Sequence, residues 1–419
     1  MFFRSATKPY ITVLDIGSFK VCGFMAHISA DGTPEIIGVG FAQSKGIRAG
    51  SIVDLNQATD CIASVLAQIE KQSGHTIESV SVNISSAHLK SYHLSQELPI
   101  PDDHAITGSD VTHLVDSMVE KIPSDEEILH RIPISYATDK DKNLSDPRGL
   151  FGNVLKAHLH IITIPEVQLR NLVTVMDRCH VRIDYKVATP YATGLAVLSE
   201  KEKNETGAMA LDIGAGSTSF AIFTQGLGDK GCLIHLGLVD RGGQALTSDI
   251  SKAFSCSLEI AERLKTLNGA AFLSPRDELE RLIVPLIGEE TENNKQIPRA
   301  DLIKVIIPRL EQIFEDLSLK LAEHELFLVS AHRIVLCGGT GQLQGIKEKI
   351  ESMLNANVRL GKVNDIKNLP NQFDSYTFIT CVGLLNYVLS MSKSLLTKRI
   401  EKPHKPKSRL GKVLQWLMK

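Results

Sequence analysis

Two stretches of the chain repeat one order of apolar strands and amphipathic helices. Each begins with an apolar run that ends in Asp-Ile-Gly, at residues 10–17 and again at residues 208–214. In both, two more runs rich in β-branched and aromatic residues, a segment with helical periodicity and another apolar strand follow. Recurrence of the whole order indicates a duplicated unit, and so predicts an α/β protein with two similar domains that face each other.

The repeated elements can be placed by number. The first repeat predicts strands at 19–28, 35–41 and 78–84 and a helix at 56–72. The second predicts strands at 217–224, 232–239 and 333–337 and a helix at 244–254. Each repeat closes on a helix rich in small residues, at 190–196 and at 380–385. We therefore assign 1–84 with 163–200 to the first half and 201–390 to the second.

Each half also contains an insertion. Residues 85–162 hold strands and a polar loop, which predicts a small extra subdomain. The second insertion, about 248–330, is predicted to be mostly helical, with apolar periodicity at 259–267 and 297–325. Lys, Ser and Pro at 391–408 predict a basic flexible linker, and the chain ends in an amphipathic segment at 409–419.

Charge is unevenly distributed along the chain. There are 46 Lys and Arg against 48 Asp and Glu, so the net charge of −2 gives no indication of nucleic-acid binding. Residues 393–419, however, hold nine Lys or Arg and one acidic residue, Glu401. A charge-based binding site therefore belongs to the tail.

Cysteine spacing and hydropathy predict where the protein resides. Seven dispersed cysteines without a CxxC or CxxH pair favour a reducing compartment over a disulfide framework or a zinc site. The N-terminus lacks an apolar core of signal-peptide length, and no run approaches the roughly 18 apolar residues of a membrane span. We therefore expect a cytoplasmic protein that neither spans a membrane nor is secreted.

The Asp-Ile-Gly repeats carry the first candidate chemistry. A glycine turn between two strands lets backbone N–H groups converge on an anion, so two facing turns would hold a polyphosphate. Asp15 and Asp212 end the first strands, and two carboxylates beside phosphates suit a hydrated Mg²⁺. The turns also offer one cation and three hydroxyls: Lys20, Ser18, Ser217 and Thr218. Ordinary hairpin chemistry explains one such turn, whereas two in equivalent places favour phosphate.

A third glycine cluster follows the strand at 333–337. Its backbone, Gly338-Gly339-Thr340-Gly341-Gln342, can approach a flat ligand at a strand end, although an ordinary tight turn explains it equally well. Glu262 and Lys265 lie three residues apart on one helical face. They either reach a nucleoside or form an exposed salt bridge.

Three segments carry a resemblance to known proteins. LDIGSFKV, LDIGAGSTSFAIF and VLCGGTGQL resemble the phosphate-1, phosphate-2 and adenosine motifs of the actin/Hsp70/sugar-kinase superfamily. Within it, the chain resembles the FtsA family of bacterial cell-division proteins over almost its whole length. HRIPISYATDKDKNLSDPRGLFGNVLKAHLHII discriminates best, because it resembles the subdomain that this family carries instead of the one in actin. The resemblance implies actin-like duplicated domains around a nucleotide cleft, with that small subdomain inserted in the first half.

The resemblance also implies the residues that surround ATP and Mg²⁺. The first phosphate loop would hold Asp15, Gly17, Ser18, Phe19 and Lys20, and the second Asp212, Gly214, Ala215, Gly216, Ser217 and Thr218. The adenosine would meet Glu262, Lys265, Gly338, Gly339, Thr340 and Gln342. Asp15 and Asp212 would hold the Mg²⁺ through water. Phe19, Ala215 and Cys337 depart from the commonest family pattern, but none removes a charged contact, so ATP binding is still expected.

The last segment forms an amphipathic helical wheel. Trp416 lies at the border of an apolar face made of Leu410, Val413, Leu414, Leu417 and Met418. So short a helix needs a surface to fold on, and this pattern suits the headgroup region of an anionic membrane. The alternative is a terminal helix docked on its own domain. The charged linker with its two prolines favours the membrane.

The resemblance implies partners as well. A protein of this family would self-associate into filaments, bind the tubulin-like protein FtsZ and tether it to the inner face of the bacterial membrane at the division site, alongside other division proteins. The FtsZ contact would lie at about 297–317, with Arg309 as a candidate, although a plain amphipathic helix also explains that segment. At most a weak ATPase activity is expected.

Two other functions on the same fold stay open. A small-molecule kinase or phosphatase would need a catalytic carboxylate and a substrate pocket between the halves, and the sequence contains no kinase-type substrate motif. Another actin-like scaffold, such as MreB or a pilus-assembly ATP-binding protein, would normally lack this first insertion and this C-terminal helix. A shared fold alone does not establish a function.

Overall fold

The computed structural model describes residues 10–101, 104–227, 231–286, 294–322, 333–363, 366, 368 and 376–400, with the backbone alone for 393–400. Its strands are β1 (Tyr10–Ile16), β2 (Lys20–Ile28), β3 (Pro34–Gln43), β4 (Ile47–Arg48), β5 (Ser51–Ile52), β6 (Ser79–Ile84), β7 (Lys90–Pro99), β8 (Glu126–Thr138), β9 (Val154–Pro165), β10 (Arg182–Ala188), β11 (Ala208–Ile213), β12 (Thr218–Gln225), β13 (Gly231–Val239), β14 (Arg281–Pro285), β15 (Asn294–Pro298), β16 (Arg333–Cys337) and β17 (Asn357–Leu360). Its α-helices are α1 (Leu55–Ser73), α2 (Gly108–Val119), α3 (Glu166–Arg178), α4 (Thr189–Val197), α5 (Gly243–Phe254), α6 (Leu258–Asn268), α7 (Arg299–Ala322), α8 (Ile346–Leu354) and α9 (Ile379–Ile400).

Two five-stranded sheets repeat one topology. The strand order is β10-β6-β1-β2-β3 in the first half and β13-β12-β11-β16-β17 in the second. In each sheet an antiparallel meander of three strands is followed by a crossover to a strand that runs parallel to the first of the three. The duplication that the sequence predicts is therefore confirmed, element by element.

Helix α1 shows how the local sequence builds these layers. Asp54 caps its N-terminus by accepting hydrogen bonds from the backbone of Asn56 and Gln57, and Gly74 ends it in the left-handed conformation. Its apolar face lies on β3, where Gly40 allows close approach. A Cβ on Gly40 would lie 2.3 Å from the carbonyl oxygen of Val65 on the helix.

The two small-residue helices of the repeats, α4 and α9, pack against each other. At their crossing, a Cβ on Gly383 would lie 1.8 Å from the carbonyl oxygen of Ala192. Gly194 makes a second close approach, since a Cβ there would lie 2.2 Å from the Phe223 ring. Small residues thus let the helix that closes each half contact its counterpart in the other half backbone to backbone.

The first insertion forms a three-stranded antiparallel sheet in the order β7-β9-β8, with α2 packed on one face. Thr107 and Asp110 form a capping box at the start of α2, and Leu114 and Met118 bury its apolar face against the sheet. The strands also contact β13 of the second half through His160. Its Nδ1 lies 3.0 Å from the carbonyl oxygen of Leu233, and a carbonyl only accepts, so this nitrogen carries the proton.

Two buried histidines make this subdomain sensitive to acid. Burial lowers the pKa of His130 from 6.5 to about 3, and lowers that of His160 to about 4. His130 must stay unprotonated at Nε2, because this nitrogen accepts a 3.0 Å hydrogen bond from the Ala188 amide. Between pH 6.5 and these values the unfolded chain binds more protons than the folded one. The free energy of unfolding therefore falls as the pH decreases through this window.

Denaturant unfolding at several pH values checks this expectation. Each histidine should contribute up to about 1.4 kcal/mol per pH unit, a slope reached only below its unfolded pKa of 6.5, so the two together should remove about 3 kcal/mol between pH 6.5 and pH 5. His160→Gln should abolish about half of that pH dependence. His158→Gln, an exposed position on the same strand, should leave it unchanged. Equal slopes for the two variants would contradict the assignment.

The second insertion is less helical than the sequence predicted. Its helices α6 and α7 confirm most of the periodic segments, but α7 begins at Arg299, and Ile297 belongs to β15. Strands β14 and β15 form an antiparallel pair that the sequence reasoning missed. Pro298 favours an extended residue before it, and Leu282 and Val284 alternate with exposed neighbours. This alternation, with a period of two residues, is typical of a β-strand and indicates β14.

The tail differs from the expectation at its start. Helix α9 continues to Ile400, although the sequence predicted a flexible linker from residue 391. No proline or glycine interrupts residues 391–400, so nothing in that stretch ends a helix. The amphipathic segment at 409–419 lies outside the described residues. Among the residues that are described, no helix combines the length and the apolar character needed to cross a membrane.

Candidate functional site

A cleft between the two halves encloses a cavity of about 350 Å³. It is lined by the turn after β1, the turn after β11, the glycine segment after β16 and the start of α9. The first three of these segments follow the carboxyl ends of strands, which is where open α/β sheets place their ligands. The cavity therefore lies where the duplicated motifs of the sequence meet.

The two strand turns have the same geometry. The amide of Gly17 donates to the carbonyl oxygen of Lys20 at 3.0 Å, and the amide of Gly214 donates to that of Ser217 at 3.0 Å. Both glycines are needed for close approach. A Cβ would lie 2.9 Å from the acceptor oxygen at Gly17 and 3.2 Å at Gly214. The equivalence supports a shared role for the two turns.

The turns also meet across the cleft. The side-chain amide of Gln244 donates a 3.2 Å hydrogen bond to the backbone carbonyl oxygen of Ser18. The Ser18 hydroxyl accepts another, also of 3.2 Å, from the Gly50 amide. Gly216 lies directly against it, since a Cβ there would be 2.5 Å from the Ser18 hydroxyl. The Ser85 and Ser217 hydroxyls approach to 3.5 Å. A ligand between the turns would thus touch both halves at once.

Asp15 is a buried carboxylate at the floor of the cleft. Its Oδ1 accepts a 2.8 Å hydrogen bond from Asn83, which in turn accepts one from the Ile16 amide. Burial is the main cause that raises the pKa of Asp15 to about 6; Lys20 and Asn83 act against this rise, and the charge of Asp212 adds to it. A nearby cation would favour the ionised form.

Asp212 takes the equivalent place in the second half. Its Oδ2 accepts a hydrogen bond from the Thr193 hydroxyl at 3.3 Å, and burial raises its pKa. Gly338 passes close to this carboxylate with a φ of +85°, a conformation that suits glycine. Any Cβ there would lie 2.4 Å from Asp212 Oδ1. The third glycine cluster is therefore built around this aspartate.

Lys20 is a cation at the floor of the cleft. Its Nζ donates to the carbonyl oxygen of Thr377, just before α9, so the first half is tied to the final helix here. Phe19, the preceding residue, lies at the tip of the turn with 46% of its surface exposed. Phe19 lines the cavity together with Ser18.

Glu262 and Lys265 form a pair in which the lysine is buried and the glutamate is partly buried, rather than an exposed salt bridge. Lys265 Nζ lies 2.7 Å from Glu262 Oε2, 3.0 Å from the Thr247 hydroxyl and 3.2 Å from the Gly243 carbonyl oxygen. Burial lowers the pKa of Lys265, while Glu262 acts against this shift. Thr340 connects the group to the second turn, since its hydroxyl donates to the Gly214 carbonyl at 3.1 Å. The pair lines the same cavity as Lys20.

The cleft unites the residues that the sequence predicted to surround the nucleotide, with one exception. Thr218 does not line the cavity, because its hydroxyl donates to the Arg241 carbonyl at 2.9 Å. Several lining residues were missed: Phe41, Gly50, Asn83, Ser85, Thr189, Tyr376, Thr377 and Thr380. Asn83 had a signal, since it is an amide near the end of a strand whose neighbouring positions, Val82 and Ile84, are apolar. The others come from segments that only the fold brings together.

Arg309, the candidate partner contact, lies on α7 outside the cleft. Its guanidinium forms a bidentate pair with Asp249 of α5 at 2.6 and 3.1 Å. This pairing raises the pKa of Arg309. About a quarter of both side chains stays exposed, so the pair is accessible from the surface.

The sequence is similar to those of known proteins. The family described as "Cell division protein FtsA" matches residues 209–383, and "SHS2 domain inserted in FTSA" matches residues 86–163. The Cell division protein FtsA of Agrobacterium fabrum is 31% identical over 395 residues, covering 91% of this chain and 88% of that protein. The chain belongs to the FtsA family. The FtsA of Escherichia coli K12 is 29% identical over 392 residues, covering 92% and 91% of the two chains.

Solved structures agree with the actin-like fold. The PilM-PilN type IV pilus biogenesis complex aligns over 90% of this chain and 98% of the other, with a TM-score of 0.61 and 15% identity. MreB5 of Spiroplasma citri bound to ADP aligns over 93% and 98%, with a TM-score of 0.55 and 13% identity. Within the FtsA family, the chain is thus an actin-like cell-division protein. The small subdomain in the first half is the insert that the family model describes.

Proposed function

We propose that the chain is an ATP-binding adaptor that forms actin-like filaments and tethers FtsZ to the cytoplasmic face of the inner membrane at the division site. The pair of equivalent glycine turns that meet across the cleft carries this proposal. A polyphosphate needs donors on several sides, and these turns supply them from both halves. ATP binding would therefore hold the halves in one arrangement. Membership of a cell-division family supports the cellular role.

The residues of the cleft fit a nucleotide with Mg²⁺. A cavity of about 350 Å³ lies within the size range of small-molecule sites. Gly339 borders open space, with nothing within 4 Å of a Cβ placed there. Lys20 supplies a positive charge for phosphate. Asp15 and Asp212 supply the oxygen ligands that Mg²⁺ takes, directly or through water.

The cleft favours binding over rapid turnover. Of the described residues that line it, three are carboxylates, and each is already engaged. Asp15 is held by Asn83, Asp212 by Thr193, and Glu262 by Lys265. The remaining oxygens of Asp15 and Asp212 are the ones proposed to hold Mg²⁺, so neither of these carboxylates is left to orient water or a substrate hydroxyl. We therefore propose at most a weak ATPase.

Partner binding is proposed for two places. Helix α7 carries Arg309 on an accessible surface, and we propose that FtsZ binds there, in competition with Asp249 for the guanidinium. The segment 409–419 would attach to anionic lipid with Leu410, Val413, Leu414, Leu417 and Met418 inward and Trp416 at the interface. One such helix binds weakly, and filament formation would strengthen attachment by presenting many copies at once.

Liposome co-sedimentation tests the tether. Trp416→Glu should lower binding to vesicles with anionic lipid by roughly tenfold or more, because it removes the aromatic side chain at the interface and puts a negative charge beside the apolar face. Gln415→Glu adds the same charge on the polar face and should have a much smaller effect. FtsZ should pellet with the vesicles when the wild-type chain and ATP are present, and stay in solution with Trp416→Glu. Equal sedimentation of the two variants would refute the membrane helix.

A further inference from the structure

Two thiols and a carboxylate converge on one buried point below the first turn. Cys22 of β2 stands directly opposite Asp15 of β1 in the strand register, and its Sγ lies 4.0 Å from Asp15 Oδ2. Cys381 of α9 brings a second sulfur to within 3.9 Å of the first. The carbonyl oxygen of Thr377 lies 3.6 Å from Cys22 Sγ. Both thiols are fully buried, and Asp15 is nearly so.

The three distances from Cys22 Sγ are close to the edges of a tetrahedral metal site, and the ligand atoms of Asp15, Cys22 and Cys381 all lie within 4.8 Å of one another. With metal–sulfur bonds near 2.3 Å and metal–oxygen bonds near 2.1 Å, two sulfurs stand about 3.8 Å apart and a sulfur and an oxygen about 3.6 Å apart. The separations of Cys22 Sγ from Cys381 Sγ and from Thr377 O agree within about 0.1 Å with these edges. The distance to Asp15 is longer by about 0.4 Å, which a small carboxylate rotation closes.

The duplication shows that the fold itself does not require a thiol at Cys22. In the second half, the position opposite Asp212 on the paired strand is Ser219, where the first half has Cys22 opposite Asp15. A hydroxyl therefore fills the equivalent place without loss of the architecture. The site combines this thiol of the first half with Cys381 from the final helix of the second half.

We propose that Asp15, Cys22, Cys381 and the carbonyl of Thr377 bind a thiophilic divalent cation, Zn²⁺ or Cd²⁺. Two thiolates with hard oxygens in a tetrahedron select such ions over Mg²⁺. The charges also balance. Two thiolates and a carboxylate against a divalent cation leave one negative charge, and Lys20 beside Thr377 compensates it. Binding releases the two thiol protons to solvent and needs no redox step.

The cation site shares Asp15 with the nucleotide site of the proposed function, so the two ligands should exclude each other. This consequence rests on that proposed function, whereas the cation site does not. Asp15 cannot present the same carboxylate oxygens to a tetrahedral cation and to a hydrated Mg²⁺ beside phosphate. Thiophilic cations would thus act as inhibitors of ATP binding in the first half of the cleft.

Cadmium titration of the full-length, nucleotide-free protein in the presence of a thiol-free reductant tests the site. Thiolate-to-metal charge-transfer absorbance should saturate at one Cd²⁺ per chain. Cys22→Ser and Cys381→Ser should each weaken binding by roughly tenfold or more, since even indirect supports of metal ligands are worth 10- to 100-fold. Cys256→Ser removes a buried thiol in the core of the second half and should change nothing.

The outcomes separate the two proposals. Absorbance that persists in both Cys22→Ser and Cys381→Ser, or a wild-type protein without a thiolate band, overturns the cation site. With free Cd²⁺ held constant by a chelator, ATP·Mg²⁺ should displace the ion from the wild type at about 30-fold lower concentration than from Asp212→Asn. If ATP displaces nothing while both serine variants lose the band, the cation site stands and its competition with ATP is refuted. ATP titration of the Cd²⁺-free protein then separates the remaining cases, because absence of binding there refutes the nucleotide site.

Discussion

Asp212→Asn should weaken ATP·Mg²⁺ binding by about 2 kcal/mol, roughly 30-fold in Kd, while the nucleotide-free protein becomes no less stable. Asparagine keeps the shape of the side chain and can still accept the hydrogen bond from Thr193. It removes the charge that the second turn offers to Mg²⁺. Calorimetric titration with ATP at fixed Mg²⁺ measures the loss directly.

The expected stability of the nucleotide-free Asp212→Asn variant follows from the buried charges. A rise in the pKa of Asp15 from 3.8 to about 6 costs the folded state about 3 kcal/mol above pH 6, where the carboxyl must ionise without water. Asp212 contributes to that rise, so neutralising it relieves part of the cost. The nucleotide-free variant should therefore melt at the same temperature as the wild type or higher, with a smaller shift on adding ATP.

A matched variant separates the effect of position from that of charge. Asp301→Asn removes a carboxylate on the exposed surface of α7 and should change neither ATP affinity nor melting temperature measurably. If Asp212→Asn bound ATP with wild-type affinity, the second turn would have no part in the site.

Gly383→Ala should destabilise the protein by about 3 kcal/mol or more, although alanine is the better helix former. Helix propensity favours the change by about 1 kcal/mol. The added Cβ, however, would stand 1.8 Å from the Ala192 carbonyl oxygen, so α4 and α9 must separate along their crossing. Overpacking against backbone cannot be relieved by a rotamer change. Denaturant unfolding measures the difference in free energy.

Gly339→Ala is the matched control for this clash. Gly339 has a φ of −64° and open space around a Cβ, so the same substitution should leave stability within about 0.5 kcal/mol. Equal stabilities for the two alanine variants would show that the helix crossing tolerates a wider spacing.

The duplicated core was predictable because its signals are local. Alternation of apolar residues, the Asp-Ile-Gly turns and the small-residue helices recur in both halves, and each carries its own structural reason. The pair β14 and β15 was missed because apolar residues at 297–325 continue a helical period across Pro298. The helical start of the tail was missed because lysine-rich composition is typical of both linkers and exposed helices.

The site was predictable only as far as its motifs reach. Glycine turns and strand-end aspartates are visible in the sequence, whereas Thr377 and Tyr376 enter the cleft only through tertiary packing. Lys265 is a clear case of the difference. A lysine three residues after a glutamate indicates a solvent-exposed pair by spacing alone, and only burial by α5 and the Thr340 segment shows that it faces the cavity.

Helix α9 connects the cleft to the end of the described chain as one continuous rod. It has 22 residues, which corresponds to a length of about 33 Å. Its first turn carries Cys381 and follows Thr377 at the cleft floor, and its glycine crossing with α4 leaves little clearance for sliding. A rod held near one end behaves as a lever, so a small tilt at the cleft becomes a larger sideways movement at Ile400. A ligand that tilted the start of α9 would therefore change the direction in which the chain leaves the body at Ile400.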